Sequence, residues 1–558
     1  MLPKDVLKQI LVGSGYVTES QFDAAAKSAE DVGKSLTDML IFRGLVTEEV
    51  LGRLIAEYYQ VPFAPLKKTA IPQEILALIP EQTATSFQMV PFAKAENQLY
   101  VALVNPHDIE AIEFAKRSSG LNIVPHYTSA TQLTKALGQY KRNIKDEFKI
   151  LIEQHLAETK QAKTKDEQKA AELPVTKILD TLLEYASAEG ASDIHVEALE
   201  NEVIVRFRVD GILRDIIHLP KPIHPALIAR VKILSSLKID EHRIPQDGRF
   251  KFKINDTYIA LRVSILPSFY GENIVFRLLS ESARPLSLEE LGFSGNYLEA
   301  VKKSIKKPHG MVLVTGPTGS GKTTSLYSLL NILNTPEVNI CTIEDPVEYG
   351  IRRVNQVQVN NIAGLTFAAG LRSLLRHDPN IIMIGEIRDS ETAEIAIHSA
   401  LTGHLVLSTL HTNSAAGAIP RFLDMGAQGF LLSSTVNLII AQRLVRKICS
   451  SCITKYTPDQ ETLKYLQKEL GTGFSQAEYY KGTGCVECGM SGYKGRIGIY
   501  EVLEVNEIIR QMIVKQSSTD EIETAAIKNG MVKLFVDGIN KANAGITTIE
   551  EVLRVIRE

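Results

Sequence analysis

Tryptophan is absent from the 558 residues, and the formal net charge is only −3. Proteins that move along nucleic acid need basic or aromatic stretches that contact the backbone and stack on bases. A balance this close to neutral also gives no reason to expect attraction to an acidic membrane surface. We therefore expect no nucleic-acid partner and keep a nucleic-acid translocase only as a low-ranked alternative.

Long hydrophobic runs are also missing, since no stretch approaches the roughly 20 apolar residues that span a bilayer. The first residues, MLPKDVLKQILVGSG, mix charged residues into the apolar pattern and lack a signal-peptide core. These absences favour a cytoplasmic protein. The five cysteines then need a purpose other than structural disulfides.

Length and composition predict three or four soluble domains, with 44% hydrophobic and 23% charged residues. Residues 1–140 contain an internal repeat, in which LKQILVGSGYVTESQF resembles LTDMLIFRGLVTEEVL. Each copy predicts a helix that ends near Gly15 or Gly44, followed by a helix capped by Thr18 or Thr47. The rest of this region, from Val61, reads as a small α/β segment. Residues 141–172 lack Gly and Pro and predict an exposed helix or semi-rigid linker.

Residues 173–285 predict an antiparallel sheet with one helix packed against it, from the helical VTKILDTLLEYASAEG and four strand-like runs. Arginines alternate with apolar residues on these runs, at Arg206, Arg208, Arg262 and Arg277. The plain interpretation, favoured for Arg206 and Arg208, is an ordinary outward-facing side chain.

Residues 286–558 hold a phosphate loop. The segment MVLVTGPTGSGKTTSLYSLLN is an apolar strand, a glycine-rich turn and a helix. Glycines let backbone N–H groups converge on phosphate oxygens, and the helix N-terminus adds partial positive charge. The residue types predict that the Lys322 ammonium reaches the β and γ phosphates and that Thr323 offers a hydroxyl to magnesium. The candidate nucleotide-binding residues are Gly316, Pro317, Thr318, Gly319, Ser320, Gly321, Lys322, Thr323 and Thr324.

Three further apolar strands end in polar groups that suit phosphate chemistry. ICTIEDPVEY carries Glu344 and Glu348, IIMIGEIRD carries Glu386, and LTGHLVLSTLHTN is bracketed by His404 and His411. In a parallel sheet such strand ends meet beside the phosphate loop, so we expect these groups around the γ-phosphate. A packing or capping role remains the alternative for each histidine, and Glu386 can equally be a solvated acid after a core strand.

Two cysteine pairs, Cys449-x-x-Cys452 and Cys485-x-x-Cys488, predict a structural zinc site of four thiolates. The spacer is long enough to hold a helix such as PDQETLKYLQKEL. A redox pair is the alternative. Cys341, on a predicted strand, reads as a buried apolar residue.

The motifs GPTGSGKTT, TIEDPVEY, RHDPNIIMIGEIRDSETA and LTGHLVLSTLHTN, in this order, resemble those of the type II and type IV secretion ATPases. Within that superfamily the chain is similar to the type IV pilus extension ATPases and the type II secretion ATPases. The resemblance implies an α/β fold: a RecA-like ATPase domain with a zinc insert at about 445–495, a preceding PAS-like α+β domain, and an N-terminal docking or regulatory domain. It also implies ATP as substrate and a ring of six identical subunits.

The resemblance assigns roles to single residues. Glu386 matches the Walker B acid, Glu348 is the better candidate for polarising water with Glu344 second, and His404 and His411 match the histidine motif. Arg262 and Arg277 match paired arginines that approach phosphates at a subunit boundary, and Arg443 matches a motif near the nucleotide.

The tetracysteine insert and the long N-terminal region favour pilus extension or secretion over pilus retraction, and between the first two the sequence is less decisive. An inner-membrane platform protein is the implied partner. The N-terminal repeat resembles domains that bind cyclic di-GMP, but the Arg of their repeat signature is missing here, so a plain docking domain is at least as plausible. A nucleotide-gated binding module without turnover is a third class, against which the set Glu348, Glu386, Arg262 and Arg277 argues.

Overall fold

The computed structural model describes residues 4–32, 36–42, 45–66, 71–137, 172–254, 257–280, 285–471 and 478–557. The chain divides into two compact units, Met1–Lys149 and Ile150–Glu558. The predicted linker falls almost entirely within 138–171, outside the described residues. Within the described ranges no helix has both the length and the apolar character needed to cross a membrane.

Helices and strands are numbered here along the described chain. The helices α1 to α22 are Lys4–Gly13, Glu19–Val32, Leu36–Phe42, Glu48–Tyr58, Gln73–Leu76, Glu81–Ser86, Ile109–Ser119, Ala130–Leu137, Glu172–Ala188, His224–Leu234, Leu288–Leu291, Gly295–Ile305, Lys322–Leu333, Phe367–Leu374, Ser390–Leu401, Ala418–Asp424, Gly429–Thr435, Gln460–Leu470, Glu507–Val514, Thr519–Lys528, Leu534–Asn543 and Ile549–Arg557. The strands β1 to β18 are Met89–Ala95, Gln98–Leu103, Asn122–Tyr127, Ala191–Ala198, Glu202–Val209, Ile212–Pro220, Gln246–Ile254, Thr257–Ser268, Gly271–Ser280, Gly310–Thr315, Ile340–Glu344, Val354–Gln358, Ile381–Ile384, Leu405–Leu410, Val436–Ile448, Ile453–Tyr456, Tyr479–Gly482 and Tyr493–Glu504.

The internal repeat of the first unit is visible in its core. Leu11 and its repeat partner Leu40 are both buried, as are Val17 and its partner Val46. The Thr47 hydroxyl accepts a hydrogen bond from the third backbone N–H of α4, which is the predicted N-cap. Equivalent positions thus carry out the same packing in both copies, and neither helix pair has to bury its apolar face alone.

The remainder of the first unit is the predicted α/β segment. Strand β2 lies at the centre of a three-stranded sheet, antiparallel to β1 and parallel to β3. Helix α7 connects β2 to β3 and begins at the N-cap Asp108, whose side chain accepts a hydrogen bond from the Ala111 backbone. Gly120 ends the helix in the left-handed conformation that glycine adopts at low cost.

The second unit contains a six-stranded antiparallel sheet in the order β6-β5-β4-β9-β8-β7. All four predicted strands are present, and β4 and β6 are additional strands that the sequence pattern did not predict. The predicted helix is α9, and a second helix that the sequence did not predict, α10, packs beside it. Its sequence, HPALIARVKIL, is short and apolar on several sides, so its helical period is weak.

The two faces of this sheet differ in chemistry. Val205 and Phe207 are buried on the face that α9 covers, where the Tyr185 ring centroid lies 5.9 Å from that of Phe207. Side chains alternate along a strand, so arginines at the intervening positions lie on the opposite face. Residues at one level of the ladder form a row across five strands: Arg208, Asp193, Arg277, Arg262 and Arg249.

The largest described sheet of the second unit has seven strands in the order β12-β11-β13-β14-β10-β15-β18. The first six run parallel, and β18 adds an antiparallel edge to β15. Strands β10, β11, β13 and β14 are buried along their whole length, as their apolar sequences predict for a sheet covered on both faces. Their carboxyl ends therefore meet at one edge, which is where the candidate site lies.

Between β15 and β18 the chain leaves the large sheet and forms a small insert. Its two-stranded sheet pairs β16 with β17. The predicted helix of the spacer is α18, Gln460–Leu470, capped by Asp459. All four paired cysteines belong to this insert or its borders, and they pack into a small cluster of their own.

Candidate functional site

The phosphate loop joins the buried strand β10 to α13. Gly316 begins it with φ of 150°, and a Cβ at this position would lie 2.6 Å from the backbone oxygen of Gln442. Gly319 and Gly321 also have positive φ, at 79° and 86°. These conformations favour glycine, and they form the kind of tight turn in which backbone N–H groups can converge on phosphate oxygens. The predicted strand, loop and helix are therefore all present.

Lys322 and the two threonines that follow it occupy the first turn of α13. The Lys322 ammonium donates hydrogen bonds to the backbone oxygens of Gly316, at 2.8 Å, and Pro317, at 3.1 Å. Burial lowers the pKa of Lys322, and the nearby Glu386 carboxylate opposes that change. Thr323 and Thr324 are exposed at the helix N-terminus, where a hydroxyl can reach a magnesium ion that accompanies a phosphate.

Gln442, a residue that the sequence analysis missed, clamps this loop. Strand β15 runs beside β10 with Ala441 opposite Thr315, so the next residues lie along the loop. The buried Gln442 amide donates to the Ser320 backbone oxygen at 2.6 Å and accepts from the Ser325 hydroxyl at 2.8 Å. One side chain thus ties the loop to the helix that follows it. No sequence motif with a fixed residue spacing identifies such a glutamine as part of a nucleotide site.

Arg443 is the neighbour of Gln442 on β15 and lies near the phosphate loop. Its guanidinium donates to the Asn413 side-chain oxygen at 3.2 Å, in the segment that follows β14. Burial lowers the pKa of Arg443, and the guanidinium in turn helps to lower the pKa of Lys322. The predicted nearness of Arg443 to the nucleotide is consistent with this position.

Glu386 lies one residue beyond the end of β13. Its carboxylate oxygens are held by Arg388, at 2.5 Å, and by His411 Nε2, at 3.2 Å. A Cβ on the preceding Gly385 would lie 3.3 Å from the Glu344 Cα and from the Ile343 backbone oxygen. The backbone at residue 385 passes close to the end of β11, and glycine fits there because it has no Cβ. The acidic side chain therefore comes one residue later, at Glu386.

His404 does not lie at this edge. Leu405, the first residue of β14, pairs with Gly310, the first residue of β10, so His404 precedes the strand at the opposite end from the phosphate loop. A strand of this length separates the two ends by roughly 20 Å. Its Nδ1 lies 2.9 Å from the Ser399 backbone oxygen, which fits the alternative capping role. The expectation that both histidines border the γ-phosphate is thus corrected for His404, because strand direction separates them.

Glu348 belongs to the loop after β11 and meets an arginine of the other sheet. Arg262 Nη2 lies 3.1 Å from the Glu348 Oε2 and donates to the Val347 backbone oxygen at 2.9 Å. Both side chains are only partly exposed, at 26% and 31%. The six-stranded and seven-stranded sheets are therefore connected, within one chain, through the candidate water-orienting carboxylate. The resemblance implies that Arg262 also contacts phosphates at a subunit boundary, and that expectation stays a prediction.

Arg277 lies next to Arg262 in the ladder but has a different partner. Its Nε donates to Asp193 Oδ1 at 3.0 Å, and the Arg208 Nε lies 3.7 Å from the other oxygen of that buried carboxylate. More than half of the Arg277 side chain remains exposed. Asp193, which lies opposite Arg277 in the sheet, thus fixes the direction of the Arg277 side chain and leaves its guanidinium accessible to an anion.

Glu344 ends β11 and is buried. One oxygen accepts from the Tyr327 hydroxyl at 2.5 Å, and the other accepts from the Thr342 hydroxyl at 2.5 Å and from the Gln356 amide at 3.2 Å. Both oxygens are occupied by neutral donors of the same chain. Glu348 is therefore the better placed of the two acids for contact with a water.

The four cysteines converge as a metal site requires. Their sulfur atoms all lie within 4.8 Å of one another, with Sγ–Sγ distances of 3.8 Å (Cys449–Cys485), 3.9 Å (Cys452–Cys488) and 3.7 Å (Cys485–Cys488). Zinc bound tetrahedrally by thiolates at about 2.3 Å places its sulfurs about 3.8 Å apart. The donor set and spacing therefore fit zinc. Cys341 is buried on β11, as its sequence context predicted.

The profile described as "Type II/IV secretion system protein" matches residues 167–554, which include all three described sheets of the second unit. The chain belongs to this family. It is a P-loop ATPase. A second profile, the MshEN domain, matches residues 59–147 and so covers the α/β segment after the internal repeat.

Curated relatives match along almost the whole chain. The type IV pilus assembly ATPase PilB of Myxococcus xanthus is 39% identical and covers 98% of each chain. The type II secretion system protein E of Xanthomonas campestris pv. campestris is 38% identical over 94% of each chain. Among solved structures, the ATPase DotB of Legionella pneumophila has a TM-score of 0.50 and 24% identity, covering 68% of this chain and 95% of its own. That likeness supports the fold alone.

Proposed function

We propose that this family member is the ATPase that drives type IV pilus assembly by converting ATP hydrolysis into mechanical work on pilin polymerisation. The observation that carries this proposal is the similarity to a pilus assembly ATPase over 98% of both chains, which includes the N-terminal unit. Type II secretion is the second candidate, supported by the match over 94% of the secretion protein.

The proposed chemistry uses the residues at the shared strand edge. The loop residues Gly316 to Thr324 would hold the triphosphate, with the Lys322 ammonium on the β and γ phosphates. Glu348 would orient the attacking water and accept its proton. Arg262 and Arg277 would stabilise the charge that develops on the transferred phosphoryl group, and His411 would keep Glu386 in place.

The metal ions have separate roles in this proposal. Thr323 and, through water, Glu386 would hold magnesium, which neutralises charge on the phosphate oxygens. Zinc at Cys449, Cys452, Cys485 and Cys488 would be structural, since four thiolates leave no open coordination position.

Coupling between chemistry and movement follows from the contact between the sheets. Arg262 reaches Glu348 only when the six-stranded and seven-stranded sheets are close together, so the site is complete in one arrangement of them. We propose that six such chains form a ring, in which the row of arginines also serves the neighbouring site. The N-terminal unit would dock the ring on an inner-membrane platform protein and hold it at the cytoplasmic face. Cyclic di-GMP binding by this unit is the alternative: the MshEN match at residues 59–147 supports it, and the missing signature Arg in the repeat argues against it.

Purified full-length protein is expected to release phosphate steadily from Mg-ATP, and the rate should not change when single-stranded DNA is added. Light scattering of the same sample with a non-hydrolysable ATP analogue should give the mass of six chains. Stoichiometric ATP binding without turnover would support a binding module instead, and stimulation by DNA would support a translocase. A strict monomer at high concentration would count against the ring.

A further inference from the structure

Tyr327 connects the nucleotide-binding helix to the loop that carries Glu348. It lies on α13, five residues after Lys322, and its side chain is buried. Its hydroxyl donates to Glu344 Oε2 at 2.5 Å and accepts from the Glu348 backbone N–H at 3.3 Å. One oxygen atom therefore bridges the last residue of β11 and the fourth residue of the following loop.

Glu344 fixes the direction of that hydroxyl. The carboxylate is buried, and its other oxygen is held by Thr342 and Gln356. Such a group is costly to leave without donors, so the arrangement that supplies all three donors is strongly preferred. Burial, together with the Glu344 charge, raises the pKa of Tyr327, which keeps the hydroxyl protonated. Its proton points to Glu344, and a lone pair remains for the Glu348 N–H.

Aromatic packing restricts the same loop from its other side. The Tyr349 ring meets the Tyr327 ring edge to face at a centroid distance of 4.7 Å. The Gln356 amide also donates to the Tyr349 backbone oxygen at 3.1 Å. The backbone on both sides of the Glu348 side chain is therefore anchored to residues that do not themselves contact Arg262.

We propose that Tyr327 and Glu344 are a positioning pair for hydrolysis: they hold the Glu348 backbone so that its carboxylate faces Arg262 and the phosphate loop. The inference rests on the proposed catalytic role of Glu348. It assigns Glu344 a supporting task, as an acceptor for Tyr327, in place of direct contact with water. It also makes α13 a direct physical link between the loop that binds phosphate and the acid that orients water.

Replacing Tyr327 with phenylalanine keeps the ring and removes the bridging oxygen. We expect kcat for ATP hydrolysis to fall about ten-fold, while the Kd for a fluorescent ATP analogue changes less than two-fold, since the phosphate loop is untouched. Tyr349→Phe is the matched control, because it removes a hydroxyl from the same ring pair but leaves the Glu344 and Glu348 bonds intact. Loss of analogue binding in Tyr327→Phe would show a general structural role and overturn the inference.

A double-variant cycle separates positioning from an independent effect. If Tyr327 acts through Glu348, Tyr327→Phe should cost less than two-fold when added to Glu348→Gln. A full ten-fold further loss in that background would overturn the positioning role and leave the catalytic assignment of Glu348 in place. Normal turnover by Glu348→Gln alone would overturn both.

Discussion

Glu348→Gln is expected to lower kcat for ATP hydrolysis by about a hundred-fold or more and to leave ATP binding nearly unchanged. The amide keeps the size of the side chain but cannot accept a proton from water, and general-base groups contribute on the order of a hundred-fold or more. Binding persists because the phosphate loop and Lys322 lie on other segments of the sheet edge. Steady-state phosphate release and titration with a fluorescent ATP analogue measure the two quantities.

Glu337→Gln provides the matched control for this variant. Glu337 is an exposed carboxylate that precedes β11, at the end of the strand away from Glu348. Its amide variant should hydrolyse ATP at the normal rate. Equal losses in both variants, or a normal rate in Glu348→Gln, would remove Glu348 from the role of water-orienting residue.

Cys485→Ser is expected to abolish zinc binding and to unfold the insert between β15 and β18. The purified protein should carry about one zinc per chain, and the variant should carry close to none. Structural zinc supplies roughly 10 kcal/mol to the folding of small domains, whereas the two-stranded sheet β16–β17 is too small to be stable alone. Metal analysis and limited proteolysis of residues 453–482 measure the two effects.

Cys341→Ser is the control for the zinc experiment, since Cys341 lies on β11 outside the four-cysteine cluster. It should retain the metal and the protease resistance of the insert. ATP-analogue binding should survive in part in Cys485→Ser, because the phosphate loop is on a different segment. A metal-free but protease-resistant insert, with thiols that titrate reversibly with oxidant, would favour the redox alternative.

Local sequence patterns were sufficient to predict the phosphate loop and the four-cysteine cluster of the insert. The glycines at 316 and 321 with Lys322 define both a backbone path and its strand-loop-helix context, so the sequence alone predicts the geometry. The two cysteine pairs likewise have few other uses in a protein without disulfides. Both features depend on residues close together in the chain or on an unusual residue type.

Contacts between residues that are far apart in the chain could not be predicted from local sequence patterns. The contact of Arg262 with Glu348 joins a strand of one sheet to a loop that follows a strand of another sheet, and no residue pattern encodes that approach. His404 was misplaced because a motif records spacing but not which end of a strand faces the ligand. Gln442 and Tyr327 were missed because a glutamine in an apolar strand and a tyrosine on a helix look like ordinary core residues.

The most direct measurement of the central proposal compares surface pili and secreted proteins in cells whose native gene is replaced by one that encodes the Glu348→Gln variant. Electron microscopy should show no surface type IV pili, while the amount and identity of proteins secreted into the medium stay the same. Glu337→Gln cells should be piliated normally. Normal piliation together with loss of secreted proteins would contradict the pilus assembly function and establish the type II secretion alternative.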